Sequence, residues 1–312
     1  VCRRVPWNPA GTFHEAVQSV WFTMLLALTE HNGEAPGIGR LDQVLHPYYE
    51  KESKEGLLTR EQAIELIQCL MLKVNEAPKA RPSAQLTKFG EVGHTNVSNH
   101  ITLGGQTTDG RDATNEMTYL ILDAYEGLRL PRPQMSLRVH SRTPFELLYR
   151  AISVTNLGGG IPQYVGDNCM IQQLLSKGLS LEDARNYVML GCSTGNAWGL
   201  CGRLHMGWLN LPKILNLLIH NGLDVVKGEQ VWEDVAGEIE SFDHLMDLFQ
   251  RKMRQVLSIE AEGIKIASRA LKEQLPNIYA SLVMPDCIEK GADLTAGGAR
   301  YNWGGTITAV GL

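Results

Sequence analysis

The 312-residue chain holds six cysteines, Cys2, Cys69, Cys169, Cys192, Cys201 and Cys287, and no two of them form a CxxC pair. That scatter excludes the common structural zinc site and the thioredoxin-type dithiol, and predicts the reduced thiols of an intracellular, cytoplasmic enzyme. Cys201 and His205 stand four apart without a second half-site, so no metal is expected. The sequence also lacks a Lys/Arg-rich run, and its net charge is −5 with a pI of about 6.0. Nothing in it suggests nucleic-acid binding. No apolar stretch approaches the roughly 18 residues that cross a bilayer. The longest, Val20 to Leu28, sits inside an amphipathic pattern, and no ordered signal peptide precedes it.

What is present is the composition of a globular protein with a sizeable core: 44% hydrophobic and 20% charged residues. Apolar residues from Phe13 to Leu28 recur at helical spacing. Thr59-Arg-Glu-Gln62 is a capping box opening a helix to about Val74. Ser98 to Leu103 alternates at period two before Gly104-Gly105, and a helix follows over about 112–125. Met135 to His140 alternates again. Thr143, as a cap before Pro144, predicts a helix that Gly158-Gly-Gly160 ends, with an extended segment over 161–165. Ser180 caps a short helix leading to a strand over Tyr187 to Leu190. Helices are expected over about 207–220 and 240–274, then a strand near Ile278 to Val283. Strands alternating with helices predict a parallel α/β fold, with reactive groups at the C-terminal ends of strands. Gly104-Gly105, His140, Tyr164 and Cys192 fall at such ends. The chain starts at Val1 and closes within an apolar segment, Thr306 to Leu312, which predicts an internal piece of a longer protein.

One short stretch carries the chemical question. Residues 191–199 read GCSTGNAWG after the apolar run Tyr187 to Leu190, placing a single thiol, Cys192, at a strand tip. An ionic nucleophile would need a nearby base or cation, and only Ser193, Thr194 and Asn196 are local. Hydrogen-atom transfer needs no ionised thiol: a neutral S–H gives up a hydrogen atom, and the thiyl radical takes one from a substrate C–H. Such a role calls for shielding, rigid placement and small neighbours. A buried free cysteine acting as a small hydrophobe is the plain alternative.

Six ordered blocks give the chain a likeness to a known family: GIGRLDQVLHPYYEK (37–51), NHITLGGQTTDGRDATNEMTYLILDA (99–124), RLPRPQMSLRVHSRTP (129–144), GGGIPQYVGDN (158–168), SLEDARNYVMLGCS (180–193) and GADLTAGGARYN (291–302). Together they resemble the large catalytic domain of glycyl radical enzymes, the pyruvate formate-lyase family. The resemblance implies a ten-stranded α/β barrel, incomplete in this chain, with Cys192 as the thiyl-forming residue on a loop entering the interior. It implies that residues 1–312 are part of a single catalytic barrel domain, with the N-terminal portion and the C-terminal glycyl radical domain absent. No Arg-Val-x-Gly-Tyr/Phe loop occurs, and Arg300-Tyr-Asn-Trp-Gly304 is not one. The glycyl radical would then lie outside this chain, installed by an S-adenosylmethionine/[4Fe-4S] activating enzyme. The full-length protein is expected to be a homodimer acting anaerobically on a small organic substrate, without nucleic acid or membrane.

The loop's residues bear on the reaction. Pyruvate formate-lyase itself resembles a Cys-Cys pair here, whereas Gly191 precedes Cys192 and Ser193 follows, so acetyl transfer is disfavoured. Dehydratase, decarboxylase and choline-lyase members resemble Gly-Cys-Val-Glu. Thr194 holds the glutamate's position and has no useful pKa near neutrality. The expected reaction is C–H abstraction with C–C or C–heteroatom cleavage. The alternatives are radical addition to fumarate, for which Arg138 or Arg203 would bind carboxylates, and a degenerate, non-catalytic paralogue. Anaerobic ribonucleotide reduction would call for nucleotide contacts and a zinc cysteine cluster, and neither is visible.

Position within the barrel nominates His31, His94, Asn99, Arg138, Tyr164, Thr194, Asn196 and Arg203 as substrate-binding residues, Trp198 as a platform, and Gly191 and Gly195 as residues that position the loop. Each has a plain structural counterpart. His31 and His94 would be solvent-facing or supporting histidines, Asn196 a loop cap, Trp198 packing, and Arg138 the partner of a structural carboxylate.

Overall fold

A computed structural model describes residues 1–30, 37–77, 99–191, 194–202, 205–233, 239–302 and 306–310. It divides into two compact units, Val1–Gly199 and Leu200–Leu312. The boundary carries no change of composition.

The first unit runs α1 (Phe13–Glu30), β1 (Gly37–Gly39), α2 (Leu41–Lys54), α3 (Arg60–Glu76), β2 (His100–Gly104), α4 (Glu116–Leu128), β3 (Gln134–Val139), α5 (Phe145–Thr155), β4 (Gln163–Gly166), α6 (Asp167–Ser176), α7 (Leu181–Arg185), β5 (Tyr187–Leu190) and β6 (Thr194–Ala197). Strands β1-β2-β3-β4 form one parallel sheet in that order. The predicted capping box at Thr59 and Gln62 opens α3, and Ser180 caps α7 through the Asp183 N–H.

Alternation in β2 and β3 sorts their side chains onto two faces. Ile101, Leu103, Met135 and Leu137 join the core with Leu45, Met71, Leu120, Ile121 and Leu147 of the surrounding helices. His100, Thr102, Ser136 and Arg138 occupy the other face, yet all four are fully buried. A half-exposed strand would leave that polar face wet. Here both faces are covered, as in parallel sheets generally, and the cover on the polar face is the β5–β6 pair, with β5 packed on β1 and β2.

Several elements depart from the sequence reading. The helix expected from residue 112 starts at Glu116, where Asn115 and Thr118 form a capping box. Asp112 instead accepts from Thr114 and pairs with His140. The helix after Thr143 starts at Phe145 without a side-chain cap, because the Thr143 hydroxyl accepts the His140 N–H. Strand β5 is no member of the parallel sheet. It is antiparallel to β6, with Met189 opposite Gly195 and Leu190 opposite Thr194.

In the second unit β7 (His205–Asn210) pairs in parallel with β10 (Thr306–Val310). Between them lie α8 (Leu211–Ile219), the two-residue strands β8 (Leu223–Asp224) and β9 (Glu229–Gln230), the long α9 (Phe242–Gln274), α10 (Ile278–Leu282) and α11 (Pro285–Lys290). The helix expected over 207–220 is thus a strand followed by a shorter helix. Its strand partner lies about a hundred residues away, beyond the reach of local periodicity, and Asn210 caps α8 through the Lys213 N–H. The strand expected over 278–283 is helical. Ser281 bonds back to the Asn277 carbonyl and to Asp293, and accepts from Leu294, tying a helical turn to the following loop.

One interaction joins sheet, helix and hairpin. Arg138 and Asp167 have fully buried side chains and meet through Nε–Oδ1 and Nη2–Oδ2 contacts of 2.9 and 3.1 Å. Removing the carboxylate strands a buried guanidinium, so Asp167→Ala is expected to cost about 3–5 kcal/mol of stability. Chemical denaturation of purified wild-type and variant protein measures it, and an unmoved midpoint would contradict the assignment.

Candidate active site: a pinned hairpin turn

The β5–β6 hairpin is held to the polar face of the sheet at three levels. At the C-terminal end of β3, Arg138 donates to the carbonyls of Tyr187 (3.0 Å) and Arg185 (2.7 Å). Its guanidinium carbon lies 3.8 Å from the centroid of the Tyr187 ring, whose hydroxyl donates to Asp167 at 2.8 Å. Burial, and the Asp167 charge with it, hold the Tyr187 phenol far above its ordinary range. Midway, the Met189 N–H donates to the Thr102 hydroxyl at 2.9 Å. At the N-terminal end of β2, the Gly191 carbonyl meets His100 Nδ1 at 2.8 Å.

The hairpin therefore runs back along the strands, and Gly191 at the end of β5 lies beside the N-terminal end of β2. Cys192 follows the C-terminal end of β5 in the chain, and β5 points the other way from the parallel strands it covers.

The chemistry around Gly191 fixes a protonation state. A carbonyl oxygen can only accept, so His100 Nδ1 carries the proton. Nε2 then accepts from the Ser136 hydroxyl at 2.7 Å. Burial, the dominant influence, and the Arg132 charge lower the His100 pKa against the opposing Gly191 bond. The ring is neutral at pH 7. The Gln134 amide, oriented with its nitrogen toward Gly191, donates to the same carbonyl at 2.6 Å and accepts from Arg132 at 3.1 Å.

Small residues let the hairpin fit. Gly191 has φ 51°, a left-handed conformation that costs glycine little. A Cβ on Gly195 would run into the sulfur of Met170 on α6. The Trp198 ring packs where a Cβ on Gly39 would stand, which is the packing role rather than a free platform.

The nominated residues separate accordingly. Cys192, His31, His94 and Arg203 lie outside the described residues. Arg138 is committed to Asp167 and two carbonyls, the structural alternative weighed for it. Tyr164 is a correction. Its register partner is Leu137, on the helix-facing side, and its hydroxyl meets that of Thr155 on α5 at 2.9 Å. Strand parity turns it away from the hairpin. Thr194 is exposed opposite Leu190. Asn99 and Asn196 are buried with unsatisfied amide atoms: both polar atoms of Asn99, and the oxygen of Asn196. Such orphans are costly without a partner. Sequence reasoning passed over His100, Gln134, Ser136, Thr102 and Asp167. The signal was available in the polar positions spaced two apart in strands whose other residues are apolar. Among the described residues no group of three or more acidic, His or Cys side chains could hold a metal, and no helix is long and apolar enough to cross a membrane.

A parallel α/β sheet with a β-hairpin laid across its buried polar face is the framework of the site. The family follows from comparison: a family model described as pyruvate formate lyase-like matches residues 1–312, and the chain belongs to that family. The trans-4-hydroxy-L-proline dehydratase of Clostridioides difficile is 34% identical over 96% of this chain and 38% of its own length. The (2S)-3-sulfopropanediol dehydratase of Klebsiella oxytoca is 30% identical over 96% and 37%. The crystal structure of a glycyl radical enzyme from Archaeoglobus fulgidus superposes with a TM-score of 0.89 at 29% identity, covering 99% of this chain and 40% of that one. The chain thus spans well under half the length of the relatives it matches.

The depressed His100 pKa has a consequence for stability. Near and below its ordinary value of 6.5, the unfolded chain binds a proton that the folded chain refuses. This contribution is present above pH 6.5 and is lost as the pH falls below it. Melting temperature between pH 7 and 5 is expected to fall more steeply for the wild type than for His100→Asn, whose amide does not titrate. Equal slopes would sink the assignment.

Proposed function

We propose that this chain is the thiyl-bearing part of a glycyl radical enzyme that abstracts hydrogen from a small polar organic substrate and cleaves a C–heteroatom or C–C bond. The observation that carries the proposal is the hairpin pinned across the buried polar face, with Cys192 next to the fixed Gly191 carbonyl. A glycyl radical, carried elsewhere in such enzymes and installed by a radical S-adenosylmethionine activating enzyme, supplies the hole that takes the Cys192 hydrogen atom. Cys192 then takes a hydrogen atom from a substrate C–H, forming S–H and leaving a carbon radical on the substrate. After bond cleavage the product radical recovers a hydrogen atom from the thiol, so no net oxidant is consumed.

The neutral groups around Gly191 suit this chemistry, since none of them would ionise a thiol. Asn99 and Asn196 are proposed to meet the substrate's polar groups, which would satisfy their orphaned amide atoms. Thr194 supplies no base, so any proton transfer falls to another group. The fumarate-addition alternative loses support because Arg138, one of its two candidate cations, is already saturated. Acetyl transfer lacks its second thiol. The two dehydratase relatives favour elimination of a hydroxyl group or a comparable leaving group.

The test is anaerobic expression of the full-length protein with its activating enzyme, followed by EPR spectroscopy. Turnover would then be assayed on trans-4-hydroxy-L-proline, (2S)-3-sulfopropanediol and related diols. A glycine-centred signal is expected in both wild type and Cys192→Ala, with turnover lost to background in the variant. An active Cys192→Ala, or the absence of any organic radical, would overturn the reading.

A further inference from the structure

We infer that His100 is a positioning residue for the Cys192 turn, working through the Gly191 carbonyl as a neutral Nδ1–H tautomer locked by Ser136. The inference takes its meaning from the reading of Cys192 as the working thiol, though its test does not depend on that reading. Gly191 is the last described residue before Cys192, and its carbonyl is part of the peptide group that links the two. Fixing that oxygen from two directions, with His100 at 2.8 Å and Gln134 at 2.6 Å, constrains the peptide plane that leads into Cys192. A left-handed glycine has many alternatives open to it, so without these donors the plane is free to rotate.

The second ring nitrogen decides whether the first can donate. In the opposite tautomer Nδ1 would present a lone pair to the Gly191 oxygen, two acceptors face to face. The Ser136 hydroxyl, whose oxygen is 2.7 Å from Nε2, can rotate to donate and so holds the proton on Nδ1. His100 and Ser136 sit on adjacent strands in fixed register, His100 opposite Gln134 and Thr102 opposite Ser136. The relay is thus built into the rigid sheet rather than into a loop. All of its members on the strands are wholly or largely buried, and Arg132 is the charge that acts on His100.

Two substitutions separate positioning from packing. An Asn side chain can place its amide nitrogen where Nδ1 stands, keeping the donor to Gly191. A Gln side chain reaches the Nε2 position instead and gives up that donor. The readout is the rate at which iodoacetamide alkylates Cys192 in the full-length protein, located by mass spectrometry, with exposed Cys69 as the internal reference. His100→Gln is expected to raise the Cys192 rate at least about tenfold, and His100→Asn to leave it within about threefold, with similar melting temperatures. Ser136→Ala, a small deletion that the sheet should tolerate, is expected to fall between them by releasing the tautomer. Equal rates in the Asn and Gln variants would overturn the proposal. So would a Ser136→Ala rate equal to the wild type. An active Cys192→Ala, or the absence of any organic radical in the earlier experiment, would remove the reaction while leaving the Asn/Gln difference standing.

Discussion

The guanidinium of Arg138 is the point on which the first unit depends. It is wholly enclosed, so its charge must be met in place, and Asp167 meets it with two parallel contacts. The remaining directions of the fork reach the carbonyls of Arg185, the last residue of α7, and Tyr187, the first residue of β5. A single side chain on a central strand therefore fixes the entry of the hairpin, the start of α6 and the ring of Tyr187. A lysine could neutralise Asp167, but its single ammonium could not hold a bidentate carboxylate and two carbonyls at once. Stability and site geometry are thus set by the same group.

From that anchor the hairpin descends along a face whose polarity is matched residue by residue. Thr102 takes the Met189 N–H, and His100 and Gln134 take up the Gly191 carbonyl. These strand residues serve as hydrogen-bonding partners for a second layer of backbone, which solves the problem of burying polar groups on both sides of the interface. It also explains why glycines recur where the hairpin packs. A Cβ at Gly195 has no room beside Met170, and one at Gly37 would strike Leu190.

The sequence carried the local parts of this plan well. Thr59 with Gln62, and Ser180, announced two helix starts through short-range bonding, and the alternation over 98–103 and 135–140 announced the strands β2 and β3. The six-block resemblance pointed to the barrel and to Cys192. What stayed hidden depended on partners outside the segment being read. Trp208 belongs to a strand only because residues 306–310 pair with β7. Tyr187 to Leu190 looks like one more parallel strand until its partner is known to be Thr194 to Ala197. The side of the sheet taken by Tyr164 follows from register against Leu137, which no periodicity within a four-residue strand could supply. Arg138 was visible as a buried cation, but its carboxylate, 29 residues on, was not assigned to it.

The character of the site follows from these pairings. An ionic cysteine site would gather a protonated histidine, a lysine or a helix N-terminus against the thiol to draw off its proton. The groups touching the Gly191 carbonyl are instead an imidazole that burial keeps neutral, and an amide. Their hydrogen bonds orient the peptide without placing positive charge on it. A neutral S–H is the reactant that the proposed hydrogen-atom transfer requires, and neither of these two groups is a cation that would draw off its proton.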